Sequence, residues 1–107
     1  MPQYVEFNEV LKVDEPEKYA VGKHYWIARG GYKTYPMLSP IDLTNKDRVK
    51  VGKVRVKIVE VKFQEFLTDE DAKRIGLTRF TELGYFLEME NPAEGQVATF
   101  VNFERLE

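Results

Sequence analysis

The chain predicts a single α+β domain, a mixed β-barrel carrying two to three short helices. Three observations lead there. At 107 residues, with 43% hydrophobic and 32% charged side chains, the chain has room for one core and the composition of a globular domain. Arg48 to Phe63 is a long alternating run whose phase flips near Ile58-Val59, as in a strand that bulges and bends around a barrel. Two helix signals follow it, one from Thr68 to Gly76 and one from Thr78 to Asn91-Pro92.

In order, Tyr4 to Phe7 alternates as a short strand, and Val10, Leu11 and Val13 continue toward the core. Asp14-Glu15-Pro16-Glu17 opens a brief helix, with proline at home in the first turn and carboxylates at the positive helix end. Gly22 stops it. Lys23 to Arg29 is extended, with His24, Trp26 and Ala28 on one face and Tyr25, Ile27 and Arg29 on the other. Gly30-Gly31 ends that strand, and Tyr32 to Pro40 reads as a loop that returns through Ile41 and Leu43. After the polar turn Asn45-Lys46-Asp47, the long strand turns Val49, Val51, Val54, Val56 and Ile58 inward, with a slip across Gly52, and Lys50, Lys53, Arg55 and Lys57 outward. Thr68 caps the first helix, Lys73-Arg74 sit at its negative end, and Gly76 stops it. Phe80, Leu83 and Leu87 recur at helical spacing in the second helix, where Gly84 implies close packing. Gln96 to Phe103 closes the domain as a strand.

The sequence has no cysteine, which excludes disulfide scaffolds, thiolate zinc sites and cysteine nucleophiles. A lone histidine argues against a metal site, and no cofactor is expected. Apolar runs are too short to cross a bilayer and no leader pattern opens the chain, so the expected location is cytoplasmic, with no membrane partner. The net charge of −2 conceals segregation. Lys23 to Lys62 holds ten Lys/Arg against three Asp/Glu, whereas residues 63–107 hold four against ten. Such blocks give a basic face if folding keeps them apart.

The stretch Gly22 to Tyr35 concentrates the chemistry: His24, Trp26, Tyr25, Tyr32 and Tyr35 interleave with Lys23, Arg29 and Lys33, without an acid. Cations among aromatic rings suit an anionic, flat ligand, because phosphates satisfy the charges while bases stack on the rings. The alternative is a half-buried strand whose rings are core and whose lysines are solvated.

The element order resembles the ASCH domain, a family of PUA-like barrels, from about Glu6 to Phe103. Two motifs carry the likeness. Leu67-Thr68-Asp69-Glu70-Asp71-Ala72 through Gly76-Leu77 resembles the family's acidic helix and turn, and Gly22 with Arg29 falls on its Gly-x-Lys-x-x-x-x-Arg pattern. The resemblance implies one ASCH/PUA-like domain over residues 1–107 and a role in binding RNA. The pattern's lysine is His24 here, with Lys23 one place earlier. One branch of the family hydrolyses acetylated cytidine with a lysine, a threonine and a glutamate; the corresponding positions are His24, Ile27 and Ile75. Isoleucine neither donates nor accepts a proton.

The leading expectation is therefore RNA or a nucleotide in a cleft between the Gly22–Tyr35 segment and the strand face of Lys53, Arg55 and Lys57. Lys23, Arg29 and Lys33 would neutralise phosphate, Tyr32 or Tyr35 (with Tyr25 nearby) would stack, and His24 would meet a base edge. Two alternatives differ in class. One is a hydrolase of a modified nucleoside or RNA that uses His24 as general base with Lys23 or Arg29. The other is a protein-docking module that uses the acids Asp69 to Asp71 and Glu82 to Glu94.

Overall fold

The computed structural model describes residues 5–82 and 97–107. Their alternating segments become β1 (Val5–Phe7), β2 (Val10–Lys12), β3 (His24–Gly30), β4 (Tyr32–Thr34), β5 (Ile41–Thr44), β6 (Lys50–Phe63) and β7 (Val97–Arg105). The larger sheet has the order β2-β5-β6-β7-β3. Its β2–β5 pair is parallel and its other pairs antiparallel. β1 and β4 form a separate parallel ribbon. Pro16–Lys18 is a single 3-10 turn, shorter than the predicted helix, and α1 spans Asp69–Arg74.

β7 is an interior strand of the larger sheet, and both of its faces are covered. On one side Val101 and Phe103 join Leu11, Ile27, Leu43, Val54 and Val56 in the main core, with Tyr19 and Tyr25 packed against it. On the other side Ala98 and Phe100 meet Ala28, Leu67 and Ala72 beneath α1. The predicted helix start is realised as a capping box: the Thr68 hydroxyl accepts from the Asp71 amide, and the Asp71 carboxylate accepts from the Thr68 amide at 3.0 Å. Asp71 is buried and also takes the Lys62 ammonium at 2.9 Å, which fastens α1 to β6. Burial works to raise the Asp71 pKa, but the hydrogen bonds and charge of Lys62 and Thr68 prevail and hold it below the ordinary value.

Three sequence expectations change. The sheets are open, not closed into a barrel: β2 and β3 are the edges of the larger sheet. Across the gap between them, the Arg29 guanidinium on β3 donates to the Lys12 carbonyl on β2, so a side chain crosses where a ladder would close a barrel. Second, Tyr32–Thr34 is a strand, because the carbonyls and amides after Gly31 pair with β1 and not with solvent. Gly31 makes this possible with φ 85°, a left-handed conformation that suits glycine and bends the chain between β3 and β4. Third, Val49, Val51 and Ile58 are exposed. Register shifts beside Thr44 and between Val56 and Ile58 turn the neighbouring side chains over, and the second produces the phase flip one residue earlier than the hydrophobic pattern suggests.

Residues 80–82 begin a helical turn; the rest of the second predicted helix, including Gly84, Leu87 and Asn91-Pro92, lies outside the described residues, as do Tyr4 and Gln96. Gly52 is required by close approach, since a β-carbon there would collide with the Glu107 carbonyl oxygen.

Candidate anion-binding site

The seam between the edges of the larger sheet opens into a hollow of about 250 Å³. Its construction follows from strand alternation. β1 and β2 follow one another with a bend at Glu9 between them, and Leu11 and Val13 join the main core. The alternate positions Glu6, Asn8, Val10 and Lys12 share the other face and line the hollow. Arg29 enters from β3, Lys33 from β4, Tyr35 from the segment just after β4, and Arg48 from the Asn45–Val49 turn.

Among the described residues, four cations and one carboxylate thus line the hollow. The Arg29 guanidinium is anchored by the carbonyls of Ala28, at 3.0 Å, and Lys12. Lys33, whose side chain is only 13% exposed, pairs with Glu6, its register partner across the β1–β4 ribbon. That ammonium holds the Glu6 carboxyl below its ordinary pKa, so it is ionised at neutral pH. Lys12 and Arg48 form no ion pair among the described residues. Lys33 is positioned from below by buried Thr99 on β7, whose hydroxyl donates to the Gly31 carbonyl at 2.7 Å and accepts from the Lys33 amide at 3.0 Å.

Arg48 is presented at a conformational cost. The Asn45 side-chain oxygen accepts from the amides of Asp47, at 2.9 Å, and Val49, at 3.0 Å, and this tight turn leaves Arg48 at φ 63°. A left-handed non-glycine residue is strained, and such positions concentrate at functional sites.

A solved structure shares this fold. The X-ray crystal structure of protein ytmB from Bacillus subtilis, a structural genomics target, superposes with a TM-score of 0.55 over 98% of this chain and 90% of that one, at 18% identity. The likeness establishes a small, sheet-rich α+β fold and nothing about a ligand. No protein-family model matches the chain, and no curated protein matches it either.

The sequence-selected residues divide between two faces of the sheet. Arg29, Lys33 and Tyr35 meet in the hollow. His24 lies on the opposite face of β3, where register aligns it with Glu104 on β7 and, through Glu104, with Arg55 on β6. Lys57 joins them there with an ion pair to Glu104 at 3.7 Å. Arg55 donates to the Leu38 carbonyl at 3.1 Å, and Lys53 shares this outward side of β6, next to Asp42 in register. The sheet therefore stands between these β6 cations and the hollow, and the single cleft expected from the sequence resolves into two separate groups. Tyr25 packs edge-on against Tyr19, with ring centroids 5.0 Å apart, and its hydroxyl accepts from the Ala20 amide. Lys23 belongs to the turn before β3, and Tyr32 alternates away from Lys33. Trp26 stacks beneath the Arg74 guanidinium at 4.8 Å, which in turn pairs with Glu60 at 2.6 Å.

Lys12 and Arg48 escaped the sequence reading. The alternation of Glu6, Asn8, Val10 and Lys12 against buried Leu11 and Val13 is the signal that could have found the first; nothing in the sequence marks the second. Of the positions that the hydrolase branch uses, His24 and Ile27 lie on opposite faces of β3, with Ile27 in the main core, and Ile75 packs against the second core beside α1. Among the acids considered for protein docking, Asp71 is buried in the capping box, and Asp69 accepts from the Phe80 amide at 2.9 Å. Glu70 pairs with Lys73 at 3.5 Å, and most of Glu82 to Glu94 lies outside the described residues. Among the described residues, no His/Cys/Asp/Glu group could hold a metal ion, and no helix is long and apolar enough to cross a membrane.

Proposed function

We propose that this chain is a PUA-like, ASCH-type module that binds RNA or a nucleotide, with the ligand's phosphate in the seam hollow. The observation that carries this reading is the convergence of Lys12, Arg29, Lys33 and Arg48 from four separate segments on one opening, where Glu6 is the one carboxylate among the described residues. Cationic side chains facing one opening raise the local potential there and draw in an anion such as a phosphate. Arg29 and Lys33 are already fixed by neighbouring groups, so little ordering entropy remains to be lost on binding. Val10 and Tyr35 supply the apolar wall against which a sugar or base edge rests. The Gly22–Arg29 spacing and the acidic helix, which resemble the ASCH pattern, agree with this reading.

Titration of labelled single-stranded RNA at two salt concentrations tests it. Affinity is expected to fall with salt, with a log-log slope of about 0.7 per phosphate neutralised. Lys12→Ala and Arg48→Ala are expected each to weaken binding and flatten that slope, while Lys57→Ala, on the opposite face, leaves both nearly unchanged. Binding that is insensitive to salt, or equally weakened by all three substitutions, overturns the assignment of the hollow.

A further inference from the structure

We propose that Glu6, with Asn8 beside it, is the specificity-determining edge of the hollow and selects ligands that carry a sugar hydroxyl next to the phosphate. The inference rests on the nucleotide reading above and adds what the hollow discriminates.

The hollow is chemically two-sided. Its β3, β4 and Arg48 walls, together with Lys12, offer cationic groups that only donate hydrogen bonds. The β1 wall offers the opposite. Glu6 is an ionised carboxylate that only accepts, and Asn8 both donates and accepts. The Glu6 carboxyl is engaged by Lys33 and by the Asn8 side chain, but a carboxylate has about four lone-pair positions, and the Glu6 side chain is 50% exposed, so the group retains accepting capacity toward the opening. The edge is rigid. Glu6 is in register with Lys33, and the Asn8 amide extends the β1–β4 ladder by donating to the Thr34 carbonyl at 2.9 Å.

A carboxylate in a phosphate site has a cost and a use. It lowers the field felt by any anion, so bare phosphate is penalised. A ligand that brings a hydroxyl donor within reach of the phosphate recovers that loss through a charge-assisted hydrogen bond. In a 3′-phosphorylated ribose the 2′-hydroxyl on the adjacent carbon is such a donor, and a 2′-deoxyribose 3′-phosphate lacks it. An acid on a ribose hydroxyl is a recurring solution in nucleotide sites, and the 2′-hydroxyl is the group by which a protein separates RNA from DNA at a given position. Val10, two residues on along the same face, gives the sugar an apolar surface to rest on.

Calorimetric titration of the intact chain with adenosine 3′-monophosphate, its 2′-deoxy analogue and inorganic phosphate tests the inference. The ribonucleotide is expected to bind about tenfold or more tightly than the deoxynucleotide, with inorganic phosphate weakest. Glu6→Gln removes the charge but keeps the shape. It is expected to collapse the ribo/deoxy ratio toward one and to strengthen phosphate binding; Asn8→Ala is expected to reduce the ratio partially. Equal binding of the two nucleotides by the wild-type chain, with both weakened by Lys12→Ala, overturns the sugar-reading edge but leaves the nucleotide site standing. A ratio that survives Glu6→Gln, in a variant whose circular dichroism matches wild type, also overturns it. If no nucleotide or phosphate binds at millimolar concentration, the proposed function and this inference fall together.

Discussion

Arg48 carries the sharpest conflict between stability and function. Its left-handed backbone, φ 63°, costs a residue with a β-carbon about 1 kcal/mol more than it costs glycine. Arg48→Gly is therefore expected to be more stable than Arg48→Ala by about 1 kcal/mol in urea denaturation, while the two lose affinity for single-stranded RNA to the same extent. If the glycine variant is no more stable than the alanine one, the turn is not strained. Residue-level legibility was uneven for a related reason. Arg29, Lys33 and Tyr35 could be selected from composition because cations and rings stand close together in the sequence. Lys12 lies in a run dominated by apolar neighbours, and Arg48 enters only because a side chain–backbone turn aims it. A linear sequence shows how chemistry is concentrated, but not on which face of a sheet it emerges, and this is why His24, Arg55 and Lys57 gathered on the side away from the hollow.

Among the elements, α1 shows how much a short helix depends on one residue. Six residues are too few to be stable alone, and Asp71 supplies both halves of its fastening, the cap and the Lys62 pair. Asp71→Asn is expected to destabilise the fold by about 3 kcal/mol, as for removal of one partner from a buried pair. The pH dependence has a definite sign. The folded-state pKa of Asp71 lies below its ordinary value of 3.8, so the ionised carboxylate stabilises the fold fully above that value, and the contribution is lost as pH falls through the lower folded-state value. Acid titration of the urea midpoint is thus expected to show a steeper loss below about pH 4 in the wild type than in Asp71→Asn. The capping signals, the long strand and the closing strand were legible because each rests on local chemistry or period-two patterning. The β4 strand was not legible. Tyr32–Thr34 is too short for alternation to register, and its partner is β1, more than twenty residues earlier, in a parallel pairing that no hairpin signal announces.

For the molecule as a whole, β7 holds two cores together. Phe100 and Phe103 are fully buried on opposite faces of the same strand. Each truncation to alanine is expected to cost about 3–5 kcal/mol, a large part of the 5–15 kcal/mol available to a domain this size, and thermal denaturation should show both variants strongly destabilised. A fall confined to one of them would mean that one face of the sheet contributes little. The placement of this strand also bears on synthesis. Among the described residues β3 pairs in the larger sheet only with β7, so when a ribosome has released residues 24–30 their edge must wait while some seventy more residues are added. The nascent chain then holds an unpaired, apolar strand through most of translation, and the seam that would receive a ligand comes into being only after the closing strand has emerged from the exit tunnel.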